Sequence, residues 1–215
     1  MFTDTLRPSP LQDEVVPAPA PRKRPKPGER RVQILQALAQ MLEGPDAERV
    51  TTAALAARLS VSEAALYRHF AGKAQIFEAL IDFIESGVLG LVDQIIEHEP
   101  AGAGRAARIV TAVLQFGEKN PGMTRMMVGD ALVFEPQRLQ QRMNQLFDKI
   151  EGALRQSLRD GAQTDGGNAM SSEAGSQVTA SVLTAFVTGR LQRFARAGFR
   201  RAPTEQLDAC LARML

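Results

Sequence analysis

What most constrains this chain is the spacing of its apolar residues, which between one helix breaker and the next return every three or four positions. The longest such run covers residues 73–98 and places Leu80, Ile81, Ile84, Val88, Leu91, Val92 and Ile95 on one helical stripe. Runs of β-branched residues are few, there is no Trp and only one Tyr, and Ala, Leu, Arg, Gln and Glu dominate, so the expected class is all-α. At 215 residues and 44% hydrophobic content, the chain can bury one sizeable core, or one small module leaning on a larger one.

The breakers divide the chain. Residues 1–28 hold seven of the twelve prolines and few large apolar groups, too little to offset ordering entropy, so an extended or disordered arm is expected. A first helix over about 29–43 carries Val32, Leu35, Leu38, Ala39 and Leu42 on one face and stops at Gly44-Pro45. After the 73–98 helix, Glu99 to Gly104 breaks the chain. Gly102, Gly104 and Ala107 fit a loose dinucleotide-binding pattern, but a helix precedes them where a strand is required. Further helices are expected over about 105–119, ending at Asn120-Pro121-Gly122, then over 123–132 and 135–159. The 135–159 helix has a seam of Leu139, Met143, Leu146, Phe147, Ile150, Leu154 and Leu158. Residues 160–175 read as a Gly- and Ser-rich loop, followed by helices over 177–197 and 203–215. The 177–197 helix bears Val178, Val182, Leu183, Phe186, Val187, Leu191 and Phe194; these two apolar C-terminal helices suit self-association and equally suit plain core.

The stretch 51–77 is the most specific. Thr51 or Thr52 can cap a short helix with Leu55, Ala56 and Leu59 at helical spacing; Ser60 and Val61 turn the corner. Ser62 is placed to cap a second short helix over about 63–69, packing Ala65 and Leu66 inward. Two helices joined by so short a turn can lay the second in a DNA major groove. Small residues at its start, Ala64 and Ala65 behind Ser62 and Glu63, allow close approach to base edges. Tyr67, His69 and Lys73 supply donors for phosphate oxygens. An ordinary helical hairpin is the bland alternative. Together the breaks imply an arm over 1–28, a DNA-binding module over 29–73 and a helical companion domain over 74–215.

Other chemistry is thinly represented. One cysteine, Cys210, excludes an internal disulfide and reads as a packing residue; with no apolar run of 18 residues and no signal peptide, a soluble cytoplasmic protein is expected. His69 and His98 do not fall in a metal-binding spacing, no nucleophile elbow or phosphate loop appears, and neither enzyme activity nor a cofactor is expected. Met123, Met126, Met127 and Met143 fit core filling or, alternatively, an adaptable pocket. Phe83 lies about 120° from the centre of the 73–98 stripe, where it is either an exposed contact or rim packing. The net charge of +2 is small but uneven: residues 1–31 hold seven basic and four acidic residues, residues 32–73 four of each, and residues 74–215 fifteen and sixteen. The basic excess is Arg22, Lys23, Arg24, Lys26, Arg30 and Arg31, just before the first helix, suited to DNA or simply to solvent.

The run Leu66-Tyr67-Arg68-His69-Phe70, then Gly72-Lys73 and Ile76-Phe77, resembles the signature of the TetR family of DNA-binding proteins. Longer segments, SEAALYRHF, IDFIE, FGEKNPGMTR, RLQQRMNQLFDKIE and LRQSLR, resemble the nucleoid occlusion branch of that family, from about Arg30 to the C-terminus. The resemblance implies a homodimer that binds palindromic chromosomal sites through Thr51, Thr52, Ser62, Glu63, Ala64, Tyr67, His69 and Lys73. It further implies that the DNA-bound protein contacts the C-terminal tail of the division protein FtsZ and blocks septa over the nucleoid. That contact would involve Phe83, Phe116, Lys119 and Asn120, with Arg125 nearby; Leu91 and Gln115 stand where relatives carry an arginine and a glycine. Most TetR-type proteins imply the alternative, a transcriptional repressor released from its operator by a small-molecule effector.

Overall fold

The computed structural model describes residues 28–44, 49–164 and 173–215, and among these every regular element is a helix. The all-α expectation holds. The proline-rich arm before Gly28 and the Pro45 stop lie outside the described residues.

Helix α1 (Glu29–Met41) follows Gly28, whose φ of 89° lies in the left-handed region. It buries Ile34, Ala37, Leu38 and the capping Leu42, whereas Val32, expected on the buried face, is 53% exposed. The periodicity is right and its phase is displaced, because later helices press on the Ile34 side. Helix α2 (Thr52–Arg58) is capped by Thr51, whose hydroxyl accepts the Ala54 N–H at 3.1 Å, and buries Leu55 and Ala56. Ser60, at φ 54°, turns the corner. Helix α3 (Glu63–Tyr67) is capped by Ser62, which accepts the Ala65 N–H at 3.3 Å, and ends two residues before the expected 69.

Helix α4 (Lys73–His98) has the expected bounds, set by Gly72 before it and Pro100 after it. Its stripe is buried at Leu80, Ile81, Ile84, Val88 and Val92, but Leu91 at the stripe's edge is 37% exposed. Helix α5 (Ala103–Lys119) returns antiparallel, the connection closed by Arg105 donating to the Glu99 carbonyl at 2.8 and 2.5 Å. Helix α6 (Pro121–Met127) uses Pro121 in its first turn, where no N–H is needed. The helix expected over 123–132 breaks instead at Gly129 (φ 86°), and Asp130–Leu132 forms a single 3₁₀ turn. Helix α7 (Gln137–Thr164) runs past the expected end at 159 and α8 (Glu173–Arg196) begins before 177, so only residues 165–172 of the expected loop remain, outside the described residues. Helix α9 (Leu207–Met214) starts later than expected, after Gln206 at φ 53°.

One continuous core runs from Ile34 in α1 to Leu211 in α9, joining the DNA-binding module to the companion helices. Met126, Met127 and Met143 are buried in it and Met123 packs at its edge, so the methionines fill core. Helix α6 makes the closest junction. A Cβ on the buried Gly122 would lie 1.9 Å from the Ala39 carbonyl oxygen of α1, so only glycine fits. Arg125, one turn on, donates to the Gly44 carbonyl at the end of α1 and stacks 5.0 Å over Phe199. These contacts set where α1 and the two short helices sit relative to α7 and α8.

Candidate nucleic-acid interface and an exposed face beside it

Helices α2 and α3 present one polar, exposed surface. The Tyr67 hydroxyl donates to Thr52 Oγ1 at 3.5 Å, and Thr52 donates to the Glu63 carboxylate at 2.7 Å, tying the start of α2 to both ends of α3. Thr51, Ser62, Glu63, Ala64 and Tyr67 are exposed, with Thr52 and His69 half-buried, so the structure gathers these expected contacts on one side. Leu66 and Phe70, on the opposite side, are buried. Arg31 of α1 donates to the His69 carbonyl at 2.6 Å and lies 4.2 Å over the Phe70 ring, fixing the start of α1 beside the end of α3.

Lys73 departs from the expectation of a free phosphate ligand. Its ammonium is 2.5 Å from a carboxylate oxygen of Glu135, between the 3₁₀ turn and α7, with side-chain exposures of 35% and 5%. No sequence signal joins two residues so far apart. Arg68, exposed at the end of α3, has a side chain without a hydrogen bond or ion pair among the described residues, and is a cation that the sequence pattern did not single out. Its position between Tyr67 and His69 was the available signal.

The second feature lies along α4 and α5. The Phe116 ring of α5 seats against Gly87 of α4, within 3.0 Å of where a Cβ would stand, and this contact sets the antiparallel register. Phe83, one turn before Gly87, is 54% exposed and comes level with the Lys119–Asn120 end of α5. Phe83, Gly87, Gly90 and Leu91 follow one another on the same outward face of α4. The exposed Phe83 and Lys119 and the half-buried Phe116, whose ring covers Gly87, therefore share this side of the α4–α5 pair. The Asn120 side-chain amide is committed, donating to the Phe116 carbonyl at 2.7 Å. Gly87, on which the Phe116 ring packs, was missed from the sequence; its place one turn after Phe83 was the clue.

On its other flank α4 is clamped to α7. Arg138 meets Glu78 at 2.8 Å, and Arg142 meets Asp82 at 2.8 Å and Glu85 at 2.5 Å. Burial opposes the Arg142 charge, but the carboxylates of Glu85 and Asp82 outweigh it and raise its pKa. Among the described residues, no group of three or more His, Cys, Asp or Glu is placed to hold a metal ion, and no helix is long and apolar enough to cross a membrane.

Comparison with known proteins fits this arrangement. The backbone superposes on the MbdR regulator from Azoarcus sp. CIB with a TM-score of 0.72 at 19% identity, covering 86% of this chain and 97% of that one. For the fatty acid degradation regulator FadR from Bacillus halodurans the TM-score is 0.71 at 12% identity, over 89% and 97%. At such identities the likeness speaks for the fold alone. Residues 34–80 match the bacterial regulatory proteins of the tetR family, and residues 102–214 match the SlmA-like form of the tetracyclin repressor-like C-terminal domain. A short two-helix DNA reader built onto a helical companion domain defines a TetR-type regulator. The nucleoid occlusion factors SlmA of Yersinia enterocolitica and Yersinia pestis are 50% and 49% identical to it, each over 84% of this chain and 90% of their own length. The chain belongs to the SlmA family of nucleoid occlusion factors and is a DNA-binding regulator, not an enzyme.

Proposed function

We propose that this protein is a sequence-specific nucleoid occlusion factor. As a homodimer it binds palindromic chromosomal sites and, so bound, holds the C-terminal tail of FtsZ, antagonising polymerisation and blocking septum formation over the nucleoid. The observation that carries this reading is the exposed Phe83 ring on α4, the same rod that begins at Lys73, packed beside the α5 end that bears Phe116 and the exposed Lys119. An exposed ring with a cation nearby suits a short tail with apolar and acidic groups.

On the DNA side, Ser62, Glu63 and Ala64 face base edges, while Thr51, Thr52, Tyr67 and His69 hold the backbone, with Arg68 added to them; Lys73, paired with Glu135 but 35% exposed, shares its ammonium between that carboxylate and a phosphate. Dimerisation is supported by the outward face of α8, where Val178 is 63% exposed, Val182 49% exposed and Phe186 half-buried, at successive turns. A cavity of about 510 Å³ opens beside it, lined by Ala185, Phe186, Gly189 and Arg190 of α8 and Arg201 and Gln206 near α9. Such a face becomes buried when two copies meet about a two-fold axis, which also presents two α3 helices to successive half-sites. Sedimentation of FtsZ polymers with the protein, with and without specific DNA, tests the reading: polymer loss that DNA enhances is expected, and unchanged sedimentation in both arms refutes it.

A further inference from the structure

Glu63 is an acid on a surface that would meet a polyanion. It is exposed at the first position of α3, and among the described residues no cation pairs with it. We infer that Glu63 reads a cytosine in each half-site, its carboxylate oxygen Oε1 accepting a hydrogen bond from the exocyclic N4 amine in the major groove; the inference rests on the proposed DNA reading and deepens it.

The carboxylate is held ready for one such bond. Thr52 of α2 donates to Glu63 Oε2 at 2.7 Å and accepts from the Tyr67 hydroxyl at 3.5 Å. Thr52 is β-branched and has few side-chain rotamers in a helix, so Oε2 is fixed from a second helix and not by α3 alone. Oε2 is thereby committed, while Oε1 has no partner among the described residues. Ser62 and Ala64 on either side are small and exposed, which leaves the carboxylate as the longest group at this end of α3. Arg68, His69 and Lys73, the donors suited to phosphate, follow the other end of the helix, about 6 Å of rise away from Glu63 at Tyr67.

Chemistry then selects the base. Phosphates repel a carboxylate, as do the acceptor atoms of guanine and thymine, and the major groove offers it donors only at cytosine N4 and adenine N6. Adenine sets its acceptor N7 beside the amine, which matches an amide that both donates and accepts; cytosine offers the amine alone. With one oxygen already taken by Thr52, the single remaining acceptor matches cytosine. A carboxylate in the first turn also favours the helix dipole, but any rotamer meets that role and none requires a hydroxyl from α2.

The test selects duplexes from a random-sequence pool with the full chain and with Glu63→Ala. Anisotropy is then measured on the selected duplex and on a copy carrying N4-methylcytosine at the selected positions, where a methyl group replaces the outward amine hydrogen. The full chain is expected to select a cytosine at one symmetrical position of each half-site. It is expected to bind the methylated copy roughly five- to one-hundred-fold more weakly per half-site, the usual cost of one mismatched pair. Glu63→Ala is expected to lose both the preference and the discrimination, yet to keep the salt slope of the full chain, because no cation is removed. Selected sites without that cytosine, or the same preference and discrimination in Glu63→Ala, would overturn the inference while leaving the DNA reading intact. Failure of the full chain to select any duplex would instead refute that reading, and the inference with it.

Discussion

Replacing Gly122 by alanine tests how tightly the DNA reader is held to the companion domain. The new Cβ would meet the Ala39 carbonyl oxygen at 1.9 Å and its carbon at 2.8 Å, with Leu42 Cβ at 3.2 Å. Both Ala39 atoms are main chain, so no rotamer change relieves the clash, and α1 must retreat from α6 by about 1.1 Å to restore a 3.0 Å approach. Overpacking of this kind costs about 1–3 kcal/mol. For a chain of this size that corresponds to a fall in Tm of roughly 2–12 °C, read by differential scanning fluorimetry at fixed protein concentration. Because α1 carries α2 and α3 with it, specific DNA affinity is expected to fall in the same variant, measured by fluorescence anisotropy on the palindromic duplex. Gly152→Ala is the control: nothing lies within 4 Å of its Cβ, and mid-helix alanine is expected to gain about 0.5–1 kcal/mol. A Gly122→Ala protein as stable as the parent and unchanged on DNA would refute the argument that backbone contact at Ala39 fixes the module.

Lys73→Ala leaves the Glu135 carboxylate, only 5% exposed, without its cation. Its Tm is expected to fall, though by less than the ~3–5 kcal/mol of a wholly buried pair because Lys73 remains 35% exposed. Lys73→Ala/Glu135→Gln is expected to recover much of that stability but not the DNA affinity, which separates the structural contact from the phosphate contact. Phe83→Ala is expected to weaken FtsZ tail binding by about ten-fold, as loss of an aromatic anchor does, with DNA affinity unchanged by anisotropy; equal tail affinity would remove Phe83 from the site. Val182→Asp places a charge on the outward α8 face and is expected to shift sedimentation velocity from dimer toward monomer; a persistent dimer would place the interface elsewhere. The raised Arg142 pKa adds stability that is fully present below the guanidinium's unfolded pKa and lost only as pH rises through the folded value, so thermal scans at neutral pH are expected to show no slope from this group.

What the sequence disclosed follows the range of the interactions. Caps act over three residues, so Thr51 and Ser62 were legible, and the breakers Gly72 and Pro100 bracket α4. Phe83 was legible because its angle on α4 is a local property. The phase of α1 was not: whether Val32 or Ile34 turns inward depends on where α4 and α6 approach, and both offer an apolar residue at helical spacing. The break at Gly129 was hidden in a segment without proline, since a single left-handed glycine ends a helix without a compositional mark. Helix α8 bears apolar residues on two sides, and the sequence alone does not distinguish the inward Leu183 and Val187 from the outward Val178 and Val182. Lys73 with Glu135, Gly122 with Ala39 and Arg125 with the Gly44 carbonyl are pairings made by the folded chain, which no local pattern announces.

Helix α4 also sets a length. Ten residues separate Lys73, beside α3, from the exposed Phe83, or about 15 Å of helix rise. Both ends belong to one unbroken rod, so this spacing is a fixed ruler. A peptide seated at Phe83 would thus stand beyond the roughly 8–10 Å screening length of physiological salt from any phosphate held at Lys73, so its acidic groups would feel such a phosphate only in dilute salt.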